Sequence, residues 1–270
     1  MALTDFYPRV LNDMDKYEIV SRDLTFDFSG AARPWLNQDA YLTHMFNASS
    51  LFLPYVEGFV NYAVHNAMQS VEDKKLLADC RQFIQQETLH AREHVKYNGV
   101  LGFYGFSCSD IVQSIKNKLK RIRMKWTILS VLGAAAGFEC FTAIISQVVL
   151  EEGLLNQADE NLKRFWRWHM TEELEHKTVL MDLYHYLGGG YFRRISILTL
   201  VLIGYCCYGM RIYFNLLRVG HLSRWKGLAC ICGKKSFFRK SLIQAFRCYH
   251  YRYHPRLMRT DHLRAEDFSA

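Results

Sequence analysis

Two short segments, Glu87-Thr-Leu-His90 and Glu173-Leu-Glu-His176, each set a carboxylate and an imidazole three residues apart. On a helix, positions i and i+3 share a face, so each segment can aim both groups at one point. A single Glu-x-x-His is a weak signal, because surface helices carry Glu and His often. Here each copy has a glutamate upstream. Glu57 stands 30 residues before Glu87, and Glu139 stands 34 before Glu173. That distance lets two helices pack side by side in opposite directions with their glutamates level. Four carboxylates and two imidazoles converging between four helices form a ligand set for two iron ions, or two manganese ions. Four carboxylates also balance the charge of two divalent cations. Without metal the same groups would crowd like charges in an apolar bundle, and some would have to carry protons. Two further histidines lie on the same stripes. His94 follows His90 by four, and His169 precedes Glu173 by four. Either is a further ligand or a group that orients one.

The elements that must position these residues read as helices throughout. Half of the 270 residues are apolar and only four are proline. Neither a Gly-rich phosphate loop nor a sustained period-two alternation occurs. Residues 1–48 read as an N-terminal extension with one or two short helices. Asn47-Ala-Ser-Ser50 offers capping side chains and Pro54 suits a first turn, so a helix carrying Glu57 is expected from there to Gln69. A second is expected from about Glu72 to Asn98, ended by Gly99 and Gly102. Residues 107–125 read as a connection with a basic amphipathic stretch over Lys116–Lys125. A third long helix is expected over Trp126–Leu150, and a fourth from about Gln157 to Leu187. From Thr127 to Leu150 the sole charged residue is Glu139. An acid in the middle of an apolar helix is costly unless it is paired or bound to metal. By length and hydropathy this segment would pass for a membrane span, but an all-round apolar helix is also what a bundle encloses. The expected fold is all-α: a four-helix bundle with a di-metal centre over residues 49–190, and a basic helical appendage over 191–270.

Charge supports that division. Residues 191–270 carry a net +12 and residues 1–190 a net −4. Within the basic part, Ile195–Met210 is an uncharged apolar run between Arg193-Arg194 and Arg211. Sixteen residues are short for a straight crossing of a bilayer. The run suits a core helix, a hairpin or a segment dipping into one leaflet, and basic aromatic-rich helices after it suit anionic lipid. A cytoplasmic protein attached to that membrane face is the expectation. Nucleic acid is the rival anionic partner, and no recognised motif supports it. The eight cysteines form no paired CxxC knuckles and read as reduced, packed thiols.

At the level of family, the chain resembles the ferritin-like proteins named predicted metal-dependent hydrolases. The segments that carry the likeness are Pro54-Tyr-Val-Glu57-Gly-Phe, Phe83–His94, and Trp168-His169-Met-Thr-Glu-Glu173-Leu-Glu-His176-Lys177 with Asp182-Leu-Tyr184. It spans roughly residues 35–220 and implies a ferritin-like bundle and, by its name, hydrolysis. The metal pattern is also similar to that of di-iron oxidases and oxygenases. The place of His169 resembles that of an extra histidine ligand in di-iron amine N-oxygenases, which implies the same role here. Multicomponent monooxygenases carry an Asp before each motif glutamate; Gln86 and Glu172 stand there in this chain.

The first expectation is therefore a di-iron enzyme that uses O2 to oxidise an apolar, lipid-like or amine substrate, with a reductase or ferredoxin as electron donor. A di-metal hydrolase is the alternative, because two adjacent metals lower the pKa of bound water and polarise an acyl or phosphoryl oxygen. Metal storage or sensing is the second alternative. Gly133-Ala-Ala-Ala-Gly137, beside Glu139, either leaves room for a substrate or permits close helix packing, the commoner use of small residues.

Overall fold

A computed structural model describes residues 19–263, with the exception of Ala32. The chain is all-α, as expected. Among the described residues the sole β-type pairing is an isolated bridge between Leu36 and Ala158. The bundle consists of α1 (Ala40–Ala67), α2 (Lys74–Phe103), α4 (Ile128–Glu151) and α5 (Glu160–His176), with α3 (Ser109–Lys125) joining the halves. Then come α6 (Val179–Tyr186), α7 (Tyr191–Val219), α8 (Arg224–Cys232) and α9 (Phe237–Ala245).

Several boundaries differ from expectation, each for a visible reason. Helix α1 begins at Ala40, where the Asp39 side chain accepts from the amides of Tyr41 and Leu42. Pro54 is therefore inside the helix rather than in its first turn. A proline there leaves the carbonyl four residues back without its helical donor. That carbonyl belongs to Ser50, and Asn98 Nδ2 from α2 donates to it at 2.8 Å. The proline is thus accommodated by a side chain from the neighbouring helix. Residues 40–48 are the opening turns of α1. Residues 19–38 form no helix, and residues 1–18 of the expected N-terminal extension lie outside the described residues.

Helix α2 runs through Gly99 and Gly102 and stops before Gly105, whose φ of +84° suits glycine. Residues 107–125, expected as a connection, form α3. Lys116 and Arg123 of α3 lie over the rings of Tyr55 and Tyr62 on α1, at 4.8 and 4.7 Å. The fourth long helix is interrupted after His176. There Lys177 turns inward, and its Nζ donates to the Met258 carbonyl at 3.0 Å and Thr260 Oγ1 at 2.6 Å.

Helices α4 and α7 are both long and apolar enough to cross a membrane, but their settings differ. The most apolar window of α4 is 78% buried, that of α7 28%. Helix α4 is the enclosed core helix. Gly133 and Gly137 let α6 and α7 approach it closely: a Cβ at Gly133 would sit 3.2 Å from Tyr184 and 3.3 Å from Ile197, and one at Gly137 would sit 3.4 Å from Val201. These two glycines serve helix packing. Helix α7 leaves an outward stripe containing Phe192, Leu200 and Ile203.

The basic C-terminal part is tied to the bundle. His254 Nε2 lies 3.2 Å from Asp182 Oδ1, Arg256 also bonds Asp182, and Arg194 NH1 donates to the Cys248 carbonyl at 2.7 Å. The described cysteines are all free thiols.

Candidate metal centre

The four bundle helices bring the predicted ligands to one buried spot. Glu57 comes from α1, Glu87, His90 and His94 from α2, Glu139 from α4, and His169, Glu173 and His176 from α5. All eight are buried. Their donor atoms fall into overlapping groups whose members lie within 4.8 Å of one another. These are Glu87, Glu139, Glu173 and His176; Glu57, Glu87 and His90; His90, His169 and Glu173; and Glu57, His94 and His169. Glu57, Glu87, His90, His169 and Glu173 belong to two groups each, so the four groups form one continuous set of donors.

The donor chemistry fits metal. Both carboxylate oxygens of Glu57, Glu87 Oε2, Glu139 Oε2 and His176 Nε2 are buried and have no hydrogen-bond partner among the described residues. His176 Nε2 lies 3.1 Å from Glu139 Oε2 and 3.4 Å from Glu87 Oε1, but not in hydrogen-bonding geometry. Native interiors rarely leave so many polar atoms unpaired, and here they point at one another. Oxygen and imidazole donors suit iron, manganese or zinc, and no thiolate takes part.

The protonation pattern gives the same picture. Burial, reinforced by Glu87, pushes the Glu57 carboxyl well above its ordinary value. Burial with Glu173 and Glu87 nearby raises Glu139 to about 8. Burial opposes charge on His90, yet its hydrogen bonds to Glu172 and Glu87 outweigh that and raise it to about 10. His176 is likewise raised, against burial, by Glu139 and Glu173. Burial also opposes charge on Glu173, but His169 and His176 hold it well below the usual range. In the metal-free chain, protons on His90, His176, Glu57 and Glu139 stand where cations would otherwise balance the acids.

The groups behind the ligands are cross-paired, which the sequence did not reveal. The residue preceding each motif glutamate holds the histidine of the opposite motif. Gln86 Oε1 lies 3.1 Å from His176 Nδ1, and Glu172 Oε2 lies 3.1 Å from His90 Nε2. In both rings the other nitrogen faces the carboxylates. Fixing one ring nitrogen selects the tautomer that leaves the other free to ligate. Gln86 and Glu172 therefore do the orienting that the missing Asp residues left in question. Glu172 is itself fixed: its Oε1 accepts from Trp168 Nε1 at 3.0 Å and from Arg22 N and NH1, each at 3.2 Å. Trp168 thus has a polar duty beside its packing.

Thr142, a turn beyond Glu139 on α4, donates to Glu173 Oε2 at 2.6 Å. Its i+3 spacing from Glu139 was the available signal. His169 Nε2 lies 3.3 Å from Glu173 Oε1, and His94 Nε2 lies 3.3 Å from His169 Nδ1 and 3.8 Å from Glu57 Oε1. Ser50 Oγ sits 2.8 Å from His94 Nδ1. His94 is thus braced from behind and faces the centre across Glu57 and His169. Burial, with His169 and His90 close by, lowers its pKa well below the ordinary value.

A family described as predicted metal-dependent hydrolase matches residues 20–258. No curated protein and no solved structure matches the chain. The match covers nearly all the described residues, including every centre residue and most of the basic C-terminal part. Its description agrees with the hydrolase alternative rather than with oxidation.

Proposed function

The chain belongs to the predicted metal-dependent hydrolase family, and we propose that it is a two-metal hydrolase acting on a hydrophobic acyl substrate. The observation that carries this is the continuous set of overlapping donor groups contributed by four helices, in which Glu57, Glu87, His90, His169 and Glu173 each belong to two groups. Glu57, Glu87 and His90 would hold one ion, and Glu139, Glu173 and His176 the other, with His169 beside them. Two adjacent divalent ions supply an activated water and a polarised acyl oxygen. The protein's own share is geometric. Gln86 and Glu172 keep His176 and His90 in ligating tautomers. Thr142 fixes one oxygen of Glu173. Phe83 and Trp168 pack against His176 and His90, with ring centroids 4.7 Å apart in each pair, and shield the centre from solvent.

A second reading, O2-dependent oxidation with iron and an external electron donor, is favoured by the character of the space beside the centre. A cavity reaching His169 and Thr142 is otherwise lined mainly by apolar residues such as Leu53, Ile145, Met170 and Phe237. A dry apolar approach suits O2 and unactivated carbon better than it suits a supply of water. We also propose that the outward stripe of α7 and the basic residues around it rest on an anionic membrane surface from the cytoplasmic side.

The test of the reaction class is turnover of p-nitrophenyl esters of graded chain length by protein loaded with zinc, manganese or ferrous iron, with and without O2. Metal-dependent hydrolysis under argon supports the first reading. No hydrolysis with any metal, together with O2 uptake by the ferrous protein, would overturn it in favour of the second.

A further inference from the structure

Two cavities adjoin between the bundle and the C-terminal helices. The inner one ends at His169 and Thr142. The outer one is lined by Ala48 of α1, Gly209 and Met210 of α7, Ile231 of α8 and Phe238 of α9, among others. They share Ser49, Ile145, Tyr205 and Phe237. Among the described residues, no Asp, Glu, Lys or Arg lines either one. Met210, Gly209 and Phe238 are half-buried, so the outer end meets the surface there.

From this we infer that the two cavities are one channel for an unbranched alkyl or acyl chain, with its inner end at the metal centre. The inference rests on the two-metal reading for what happens at that inner end, and on the cavity walls alone for the chain. Two of the wall hydroxyls are already engaged. Ser49 Oγ donates to the Met45 carbonyl at 3.2 Å, and Thr142 Oγ1 donates to Glu173. Trp166 Nε1 and Tyr213 Oη on the walls have no partner among the described residues, but the lining is otherwise mainly apolar. An apolar chain gains from leaving water there. Width is supplied by small residues. Gly209 lines the outer cavity, and a Cβ built on it meets nothing within 4 Å.

This assigns the C-terminal segment a second duty. Tyr205, Gly209, Met210, Ile231, Phe237 and Phe238 come from α7, α8 and α9, so residues 191–245 form the outer wall of the channel. The same helix that carries the outward apolar stripe thus borders the channel's surface end, where a chain leaving a lipid layer would enter.

The experiment is a titration of the full-length protein with cis-parinaric acid, whose fluorescence rises in an apolar site, with 1-dodecanol as competitor. Metal content is measured on the same samples. The natural chain should bind the probe saturably and release it to 1-dodecanol. Gly209→Phe, which plugs the outer cavity, and Ala48→Leu, which narrows it, should each weaken the probe by about tenfold or more, with metal content unchanged. No saturable binding, or plugged variants of natural helicity that bind as tightly as the natural chain, would overturn the channel. The latter result would place the probe on the outer stripe of α7 instead. Probe binding without metal would remove the two-metal reading and leave the channel standing.

Discussion

Replacing Glu172 with Gln should weaken one metal ion and spare the other. The carboxylate is fully buried, and its two oxygens have unequal company. Three donors converge on Oε1, from Trp168 Nε1, Arg22 N and Arg22 NH1, while among the described residues Oε2 meets His90 Nε2 alone. A glutamine carbonyl will take the place of Oε1, because an amide nitrogen there would oppose three donors. Its NH2 then faces His90 Nε2, donor against donor. His90 relieves this by giving up its Nε2 proton and keeping the one on Nδ1, the nitrogen 3.3 Å from Glu87 and the one needed for metal. Loss of such an outer partner lowers metal affinity about 10- to 100-fold, or roughly 1.4–2.7 kcal/mol. Arg22 is not stranded, since Glu175 still accepts from it at 2.7 Å. The assay is competitive metal titration against a chromophoric chelator without O2, which resolves two binding steps. One step should shift by that factor and the other, through His176, should stay. Two unshifted steps, or equal shifts in both, would refute the argument that Glu172 acts on one ion through His90.

Further predictions follow from the same contacts. Asn98→Ala should destabilise the chain by about 1–3 kcal/mol by leaving the buried Ser50 carbonyl unpaired, and Pro54→Ala should restore part of it by supplying a helical amide. A double-mutant cycle in urea shows no coupling if the proline is not compensated this way. Burial holds the His44 imidazole down at about 4, so it stays neutral in the fold but takes a proton when unfolded below about pH 6.5. Stability is therefore full above pH 6.5 and falls as pH drops from there toward 4, by at most about 2 kcal/mol between pH 7 and 5. His44→Phe should flatten that slope in metal-free protein, and an unchanged slope would contradict the assignment. Glu139→Leu should raise the melting temperature of the metal-free chain, by removing a buried acid, while abolishing stabilisation by added metal. Equal stabilisation by metal in both proteins would count against Glu139 as a ligand. Leu200→Glu with Ile203→Glu, both exposed on α7, should reduce co-sedimentation with vesicles rich in phosphatidylserine. Undiminished binding would remove α7 from the proposed membrane face.

Much of the centre was legible because its information is local. Glu-x-x-His fixes a face within one helical turn, and a single acid in an apolar helix marks Glu139 without any tertiary knowledge. What was not legible depends on contacts far apart in sequence. Gln86 and His176 are 90 residues apart, and Glu172 and His90 are 82 apart. No periodicity reports such cross-pairing. The start of α1 was misplaced because Pro54 reads locally as a first-turn residue, and only Asn98 on another helix makes it tolerable mid-helix. Helix α3 was read as a connection because its many basic residues mask an apolar face, whose Ile115 and Leu119 are buried in the core. The break after His176 was hidden because Lys177 answers to the Met258 carbonyl and Thr260, some 80 residues on. The channel was equally invisible, since its walls come from α1, α4, α5, α7, α8 and α9.

The most direct test of the account is elemental analysis of the full-length protein after purification from iron-, manganese- and zinc-replete cells, repeated after loading the metal-free chain. About two tightly held ions per chain are expected, with net release of protons on loading at neutral pH from groups that burial and their neighbours raise, such as Glu139, raised to about 8, and His90, raised to about 10. A chain that holds no metal, or that takes up metal without releasing protons, would contradict it.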